Sequence, residues 1–439
     1  GEFYRNVTAL VNKYVSFRIP EIADELYKID DAVKAGFGWE LGPFETWDVL
    51  GVAKTTEMML ANGIEVAPWV KEMIAAGNKS FYITENGKRK YYDVNSKTYQ
   101  IIPGADAFIV MDNYRSQKPI YQNAGATLHD IGDGILNLEF HTKMNVIGSE
   151  ILEAMHKSID IAEKNYRGLV IGNDAANFSA GANIAMMLML AIEQEYDELD
   201  MAIRYFQNTI MRVRYSGIPV AVAPHGLTLG GGCEMTMHSD VAVAAAETYI
   251  GLVEVGAGLI PAGGGTKELA LRASDKYFKG DIEIPTLQEM SLNIAMAKVA
   301  TSAREAFELG ILRKGIDIEV TNSNRVIAEA KNAVLELADK GYTPPQYRND
   351  IKVLGRSALG SFYTGVASMR MGNYISAHDE LIAKKVCYVI CGGDLSAPTE
   401  VNEQYLLDLE REAFLSLLGE KKTLERMQFI LKTGKPLRN

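Results

Sequence analysis

Cysteine is scarce in this chain: Cys233, Cys387 and Cys391 are the only three in 439 residues. Three thiols cannot build a disulfide framework, so a reducing compartment and a cytoplasmic location are expected. Cys387 and Cys391 stand four positions apart on one expected helix face. Packing accounts for them there, and no metal or redox role is expected. Long hydrophobic runs are also missing. The longest uncharged stretches, such as 175–192, carry Asn, Ser and Gly, which argues against a membrane-spanning helix. No signal-peptide pattern opens the chain. Nor is there an excess of basic residues: 45 Lys and Arg face 56 Asp and Glu, a formal net charge of -11. That balance argues against a nucleic-acid scaffold, which usually shows a basic face. It leaves an anionic small substrate open, because local groups decide that.

Two nucleotide-binding signatures are absent as well. Neither G-x-G-x-x-G nor G-x-x-x-x-G-K-[ST] occurs, so dinucleotide and nucleoside-triphosphate sites of those types are not expected. His129, His141, His156, His225, His238 and His378 are scattered, and no metal site is expected from them. The chain opens on Gly1-Glu2-Phe3 rather than Met. This reads as a cut point or cloning remnant, so the natural protein is expected to extend further toward its N-terminus.

What is present fits a large globular protein. Hydrophobic residues make up 47% and charged residues 23%, and the length suits two or three domains. Residues 1 to about 75 read as helical. Ile22, Leu26, Ile29 and Val33 recur at helical spacing, Gly36 is a stop signal, and Pro43 marks a helix start. Residues 76 to about 125 read as a connector, in which Glu85-Asn86-Gly87-Lys88 between tyrosine-rich runs signals a hairpin. Leu136, Leu138 and Phe140 alternate with polar residues, as in a half-buried strand. Ile151, Met155, Ile159 and Ala162 mark a helix, while 169–171, 220–222 and 241–245 read as strands. This alternation predicts a mostly parallel α/β core. From about 287 onward the pattern is helical again, and Leu424, Met427, Ile430 and Leu431 form a last amphipathic helix ended by Gly434.

Three glycine-rich segments carry the chemistry. They are Phe178-Ser179-Ala180-Gly181-Ala182-Asn183, Gly230-Gly231-Gly232-Cys233-Glu234, and Glu254-Val255-Gly256-Ala257-Gly258-Leu259-Ile260-Pro261 running on to Gly265. Glycine lets a ligand approach backbone N–H groups closely. Gly231 and Ala182 could therefore aim two donors at one carbonyl oxygen, although a glycine triplet alone is equally at home in tight helix–strand packing. Glu234 sits between Cys233 and Met235 in a largely uncharged run, and Glu254 among Leu252, Val253 and Val255. A lone glutamate is more often a solvated surface group, but an ionised one in such surroundings needs a partner or a task. Two such carboxyls suit proton transfer, one as base and one as acid. The stripe Met186-Met187-Leu188-Met189-Leu190 reads as core, with an acyl-lining role as the alternative.

These motifs resemble a known family. The 178–184 segment is similar to the F-x-A-G-A-D-I signature of the crotonase (enoyl-CoA hydratase/isomerase) superfamily. Residues 225–240 are similar to its G-x-x-x-G-G-G-C-E-L…D segment, and 251–266 to the stretch carrying the second catalytic glutamate. Gly38-Trp39-Glu40-Leu41-Gly42-Pro43-Phe44-Glu45 resembles the G-P-F-E signature in the helical C-terminal domain of 3-hydroxyacyl-CoA dehydrogenases. The order of these parts, and the ending 403–439, look like bacterial bifunctional proteins with the dehydrogenase first and the hydratase last.

The resemblance implies a crotonase-like (ββα superhelix) α/β core flanked by helical regions. It implies a dehydrogenase-type helical domain plus connector over 1–115, a crotonase domain over 116–345 and a C-terminal helical region over 346–439. The implied activity is hydration of trans-2-enoyl-CoA in fatty-acid β-oxidation. The alternatives are an enoyl-CoA isomerase, another crotonase-type reaction or a non-catalytic CoA-thioester-binding module. Ala182 and Gly231 would supply the oxyanion-hole N–H groups, Glu234 would activate water, and Glu254 would supply the proton to Cα. Ala180, Gly181, Asn183, Gly230 and Ala262 would contact substrate. Asn183 stands where Asp is common and Ala262 where Gly is common. No cofactor is implied for hydration, and NAD only with an upstream domain. The implied partners are an acyl-CoA substrate and self-association or a thiolase-type pathway protein, with no nucleic acid and no transmembrane segment.

Overall fold

The computed structural model describes residues 1–85 and 87–439. The chain divides into two compact units, Gly1–Ser116 and Gln117–Asn439.

The first unit opens with helices Glu2–Phe17, Leu26–Phe37, Pro43–Leu50, Val52–Ala61 and Pro68–Ala75. Ile22 lies outside the helix expected to contain it. That helix starts at Leu26, and Ile22 is 67% exposed. The helix also runs past Gly36 and ends at Gly38, whose φ of +66° suits a residue without Cβ. The Gly42-Pro43-Phe44-Glu45 segment has a clear physical basis. Asp30 accepts hydrogen bonds from the Phe44 and Glu45 N–H groups at 2.9 and 3.2 Å and from the Tyr82 hydroxyl at 2.7 Å. It thereby caps the helix that Pro43 begins. A Cβ on Gly42 would lie 2.3 Å from the Asp30 Cβ, so only glycine fits against the capping carboxylate. Phe44, Trp47, Met59 and Phe81 are fully buried beneath this helix array.

Strands Tyr82–Glu85, Lys88–Asp93 and Thr98–Ile101 follow as an antiparallel sheet. The first two form the hairpin signalled by Asn86-Gly87, with Asn86 itself outside the described residues. The third strand carried no comparable signal.

The second unit is built on a seven-stranded sheet. Its spatial order is Ile318–Val320, Val241–Ala245, Val220–Val222, Gly168–Ile171, Ile135–Phe140, Ala126–Asp130 and Tyr121–Gln122. From Ile135–Phe140 to Ile318–Val320 every pairing is parallel, and the other edge is antiparallel. The Ser149–Asn165 helix buries Ile151, Met155, Ile159 and Ala162 with Leu169 and Ile171. The opposite face meets the Val326–Asp339 helix, where a Cβ on Gly168 would clash with Val334.

Cover on both faces corrects one expectation. All six residues of Ile135–Phe140 are buried, not alternate ones. Their polar members have internal partners. Asn137 donates to the Gly172 carbonyl at 3.0 Å, and Glu139 meets His129 at 3.2 Å.

A smaller sheet stands beside the first. Gly226–Leu229 runs parallel to Thr248–Gly251, which pairs antiparallel with Val299–Ala300. The C-terminal helices Gly355–Met371, Ala377–Ile390, Glu403–Leu418 and Lys421–Thr433 belong to this same unit. They bury Ile382, Val386, Leu406 and Met427 in one cluster with Leu269 and Ile260. Cys387 and Cys391 are buried there as free thiols. No helix among the described residues is long and apolar enough to cross a membrane, and no group of three or more metal-ligating side chains is found among them.

Candidate active site

The three glycine-rich segments meet at one end of the smaller sheet. The first is held as an extra strand along Gly226–Leu229. Ser179 donates its N–H to Leu227 and accepts from Leu229 through its carbonyl, both at 3.0 Å. Gly181 then turns the chain with φ of +94°. A Cβ there would press on the Leu229 carbonyl oxygen at 2.8 Å, so this close approach requires glycine.

Ala182 forms an isolated parallel bridge with Ile147. Ile147 donates to Gly181 at 2.8 Å and accepts from Asn183 at 3.2 Å. In that arrangement the Ala182 N–H points away from the bridge. The second segment ends in the helix Gly231–His238, whose first N–H groups have no intrahelical acceptor. Among the described residues neither the Ala182 nor the Gly231 N–H has an acceptor in the protein. The two are neighbours: a Cβ on Gly231 would lie 3.5 Å from the Ala182 nitrogen. Two unengaged donors at a helix N-terminus make a place for a developing oxyanion.

Both glutamates face this place. Glu234 projects from the first turn of the Gly231–His238 helix and is 3% exposed. Its Oε1 accepts the N–H groups of Gly263 at 2.8 Å and Gly265 at 2.9 Å. A Cβ on Gly263 would lie 2.4 Å from Glu234 Oε2, so glycine lets the backbone close onto the carboxyl. Burial pushes Glu234 up to about 7, although the Gly265 and Gly263 amides and the Lys267 charge oppose that rise.

Glu254 opens a single 3-10 turn, Glu254–Ala257. Its Oε1 stands 2.9 Å from where a Cβ of Gly230 would be, and its buried Oε2 has no hydrogen-bond partner among the described residues. Burial, then the nearby Glu234 charge, hold its carboxyl well above the usual range. Two coupled carboxyls in such surroundings can share a proton, one ionised while the other stays neutral. That is the state a paired base and acid need.

The remaining expected site residues are accounted for individually. Ala180 gives its N–H to the Met144 carbonyl at 3.1 Å, and Gly181 gives its own to Ser179 Oγ at 3.1 Å. Asn183 caps the Ile184–Glu193 helix, its side chain accepting from Met186 at 3.2 Å. A side-chain carbonyl suffices for that cap, so asparagine does here what aspartate would do. Gly230 donates to Gly251 at 3.0 Å, and Ala262 is buried one residue before the amide that holds Glu234. In the Met186–Leu190 stripe, Leu188 is buried and Met189 is 54% exposed, so the stripe is not uniformly core.

Some neighbours gave no sequence signal. Phe206 lies against both Gly231 and Gly263, with ring atoms 2.7 and 2.4 Å from their would-be Cβ positions. His238 Nε2 faces Lys267 Nζ at 2.8 Å, and its Nδ1 faces the Glu234 carbonyl at 2.7 Å. Burial and the Lys267 charge keep this imidazole neutral, which makes it a bridge between a cation and a carbonyl. Lys267 is itself fully buried and pairs with Glu403 at 2.8 Å.

Residues 130–279 match the family described as Enoyl-CoA hydratase/isomerase. The chain is 44% identical over its whole length to 55% of a Bacillus subtilis (strain 168) protein named "Probable 3-hydroxyacyl-CoA dehydrogenase". It is 24% identical, over 98% of its length, to 53% of a Rickettsia felis protein provisionally named as a fatty acid oxidation complex trifunctional enzyme. It thus spans about half the length of these curated relatives. A crystal structure of enoyl-CoA hydratase from Bacillus halodurans is similar with a TM-score of 0.48 and 15% identity, covering 70% of this chain and 100% of that one. The matched residues 130–279 are the ones that carry Ala182, Gly231, Glu234 and Glu254.

Proposed function

We propose that this chain hydrates trans-2-enoyl-CoA thioesters to 3-hydroxyacyl-CoA. The observation that carries the reading is the convergence of two closely placed carboxyls, Glu234 and Glu254, on two unengaged N–H groups. In this mechanism the thioester oxygen accepts from Ala182 and Gly231. Glu234 takes a proton as water oxygen bonds to Cβ, and the π electrons move onto the thioester oxygen as an enolate. The enolate collapses as Glu254 delivers its proton to Cα. One water is consumed and no redox partner is needed. The two donors lower the enolate's energy because they are already oriented before charge develops.

The full protein is proposed to be longer, with this chain as its C-terminal part and a 3-hydroxyacyl-CoA dehydrogenase activity upstream that would use NAD. The length of the curated relatives supports this. Self-association or a thiolase-type partner, and a cytoplasmic location, belong to the same proposal. Incubation with crotonyl-CoA tests the activity. Loss of the conjugated enoyl absorbance with formation of 3-hydroxybutyryl-CoA is expected. Double-bond migration without water uptake would favour an isomerase, and binding without turnover a non-catalytic module.

A further inference from the structure

A third buried carboxyl stands behind the pair. Glu410, on the helix Glu403–Leu418, is fully buried. Its Oε1 accepts the Gly264 N–H at 2.6 Å and Gln207 Nε2 at 3.2 Å, and its Oε2 accepts the Lys267 N–H at 3.0 Å. These amides alternate with those held by Glu234: Gly263 and Gly265 go to Glu234, Gly264 and Lys267 to Glu410. Two carboxyls from distant parts of the chain thus hold the N-terminus of the helix Gly265–Lys276 between them.

The turn between them has little freedom. Gly264 has φ of +102°, so the peptide planes on either side face opposite ways, which lets successive N–H groups serve different acceptors. Rotating the Gly264 amide off Glu410 would swing the flanking amides off Glu234. Gln207 fixes Glu410 from the other side. It donates to the Leu407 carbonyl at 2.9 Å, and its Oε1 accepts from Arg411 at 2.9 Å. Both Glu234 amides bind Oε1, so Oε2 is the oxygen left to meet water.

Resting on the hydratase reading, we propose that Glu410 is a positioning residue for hydration: it locks the 263–267 turn so that Glu234 presents Oε2 to the attacking water. The helix Glu403–Leu418 is then part of the catalytic apparatus and not only a cover for the core. Glu410 touches no reacting atom. Its effect falls on the orientation of Glu234 and not on CoA binding.

The test uses the whole chain with crotonyl-CoA, each rate expressed per folded enzyme. Glu410→Ala removes both amide acceptors. It should lower kcat by roughly 10²-fold with KM within about twofold, because a small misplacement of a catalytic group is costly. Glu410→Gln keeps one acceptor oxygen and should restore part of the loss. Should Glu410→Ala fail to fold, Glu410→Gln alone decides, with an intermediate fall in kcat at unchanged KM expected. A loss confined to KM, or a normal kcat in the folded variants, would overturn the positioning role while leaving the hydratase reading intact. No hydration by the unaltered chain would overturn both.

Discussion

Gly230 leaves the space that Glu254 fills: the Glu254 Oε1 lies 2.9 Å from the point where a Cβ of residue 230 would stand. Gly230 also holds φ of 52° and ψ of -120°, a region that side chains disfavour. Gly230→Ala should therefore push Glu254 aside and add backbone strain of about 1–3 kcal/mol. The expected outcome is a lower thermal midpoint together with a fall in turnover beyond the loss of folded protein. A variant with unchanged melting and unchanged kcat would mean that this close approach constrains neither residue.

The two carboxyls have separate proton-transfer tasks in the proposed reaction. Glu234→Gln and Glu254→Gln should each lower kcat by roughly 10²–10⁴-fold, the usual worth of a general acid or base. Both are near-isosteric, so folding should persist, and circular dichroism would verify that. If either variant turned over crotonyl-CoA at a near-normal rate, the division of labour between the two would be wrong.

Stability should carry the mark of these buried acids. Burial raises Glu234 from 4.5 to about 7, so the folded state keeps a proton that the unfolded chain has lost. Its contribution to stability is fully present below the unfolded value of 4.5 and is lost as pH rises through about 7. Glu268 and Glu403 act in the opposite sense: burial would raise both, but charges led by Arg214 and by Lys267 respectively outweigh it. Urea unfolding of the unaltered chain and Glu234→Gln at both ends of that window reports the Glu234 share together with its effect on Glu254. The variant should lose less stability toward high pH, and an equal or larger loss would contradict the assignment.

Ala182→Pro offers a clean probe of the oxyanion donors, because the N–H it deletes has no acceptor among the described residues. Turnover should fall by about 10²–10³-fold, the measured scale for one such donor. Calorimetry with CoA should still show binding. Gly231→Pro is less informative, since Phe206 stands 2.7 Å from the position its Cβ would take. Normal turnover in a folded Ala182→Pro variant would remove this N–H from the mechanism.

The part of the site legible in the sequence is the part in which neighbours along the chain are also neighbours in space. Glu234 stands in a glycine-rich, uncharged run, and its surroundings alone marked it as unusual. Glu410 could not be read that way. It lies 146 positions from the Gly264 amide it holds, on a helix that also carries the exposed Asp408 and Glu412. A glutamate among leucines at helical spacing looks like a solvated face until the fold covers it. The same limit explains Ile135–Phe140, where alternation suggested one wet face. The sheet is covered on both sides, and internal partners for Asn137 and Glu139 replace water. Helix ends were legible where glycine or proline set them, as at Pro43 and Gly434. They were missed where only hydrophobic spacing was available, as at Ile22.

We propose that this chain adds water across an enoyl-CoA double bond through Glu234 and Glu254. Mass spectrometry of the product formed from crotonyl-CoA tests it most directly, with the unaltered chain beside Glu234→Gln and Glu254→Gln. The expected product is 3-hydroxybutyryl-CoA, heavier than substrate by one water, from the unaltered chain, with near-baseline product from each variant. Unchanged substrate mass from the unaltered chain, or full product from either variant, would contradict it.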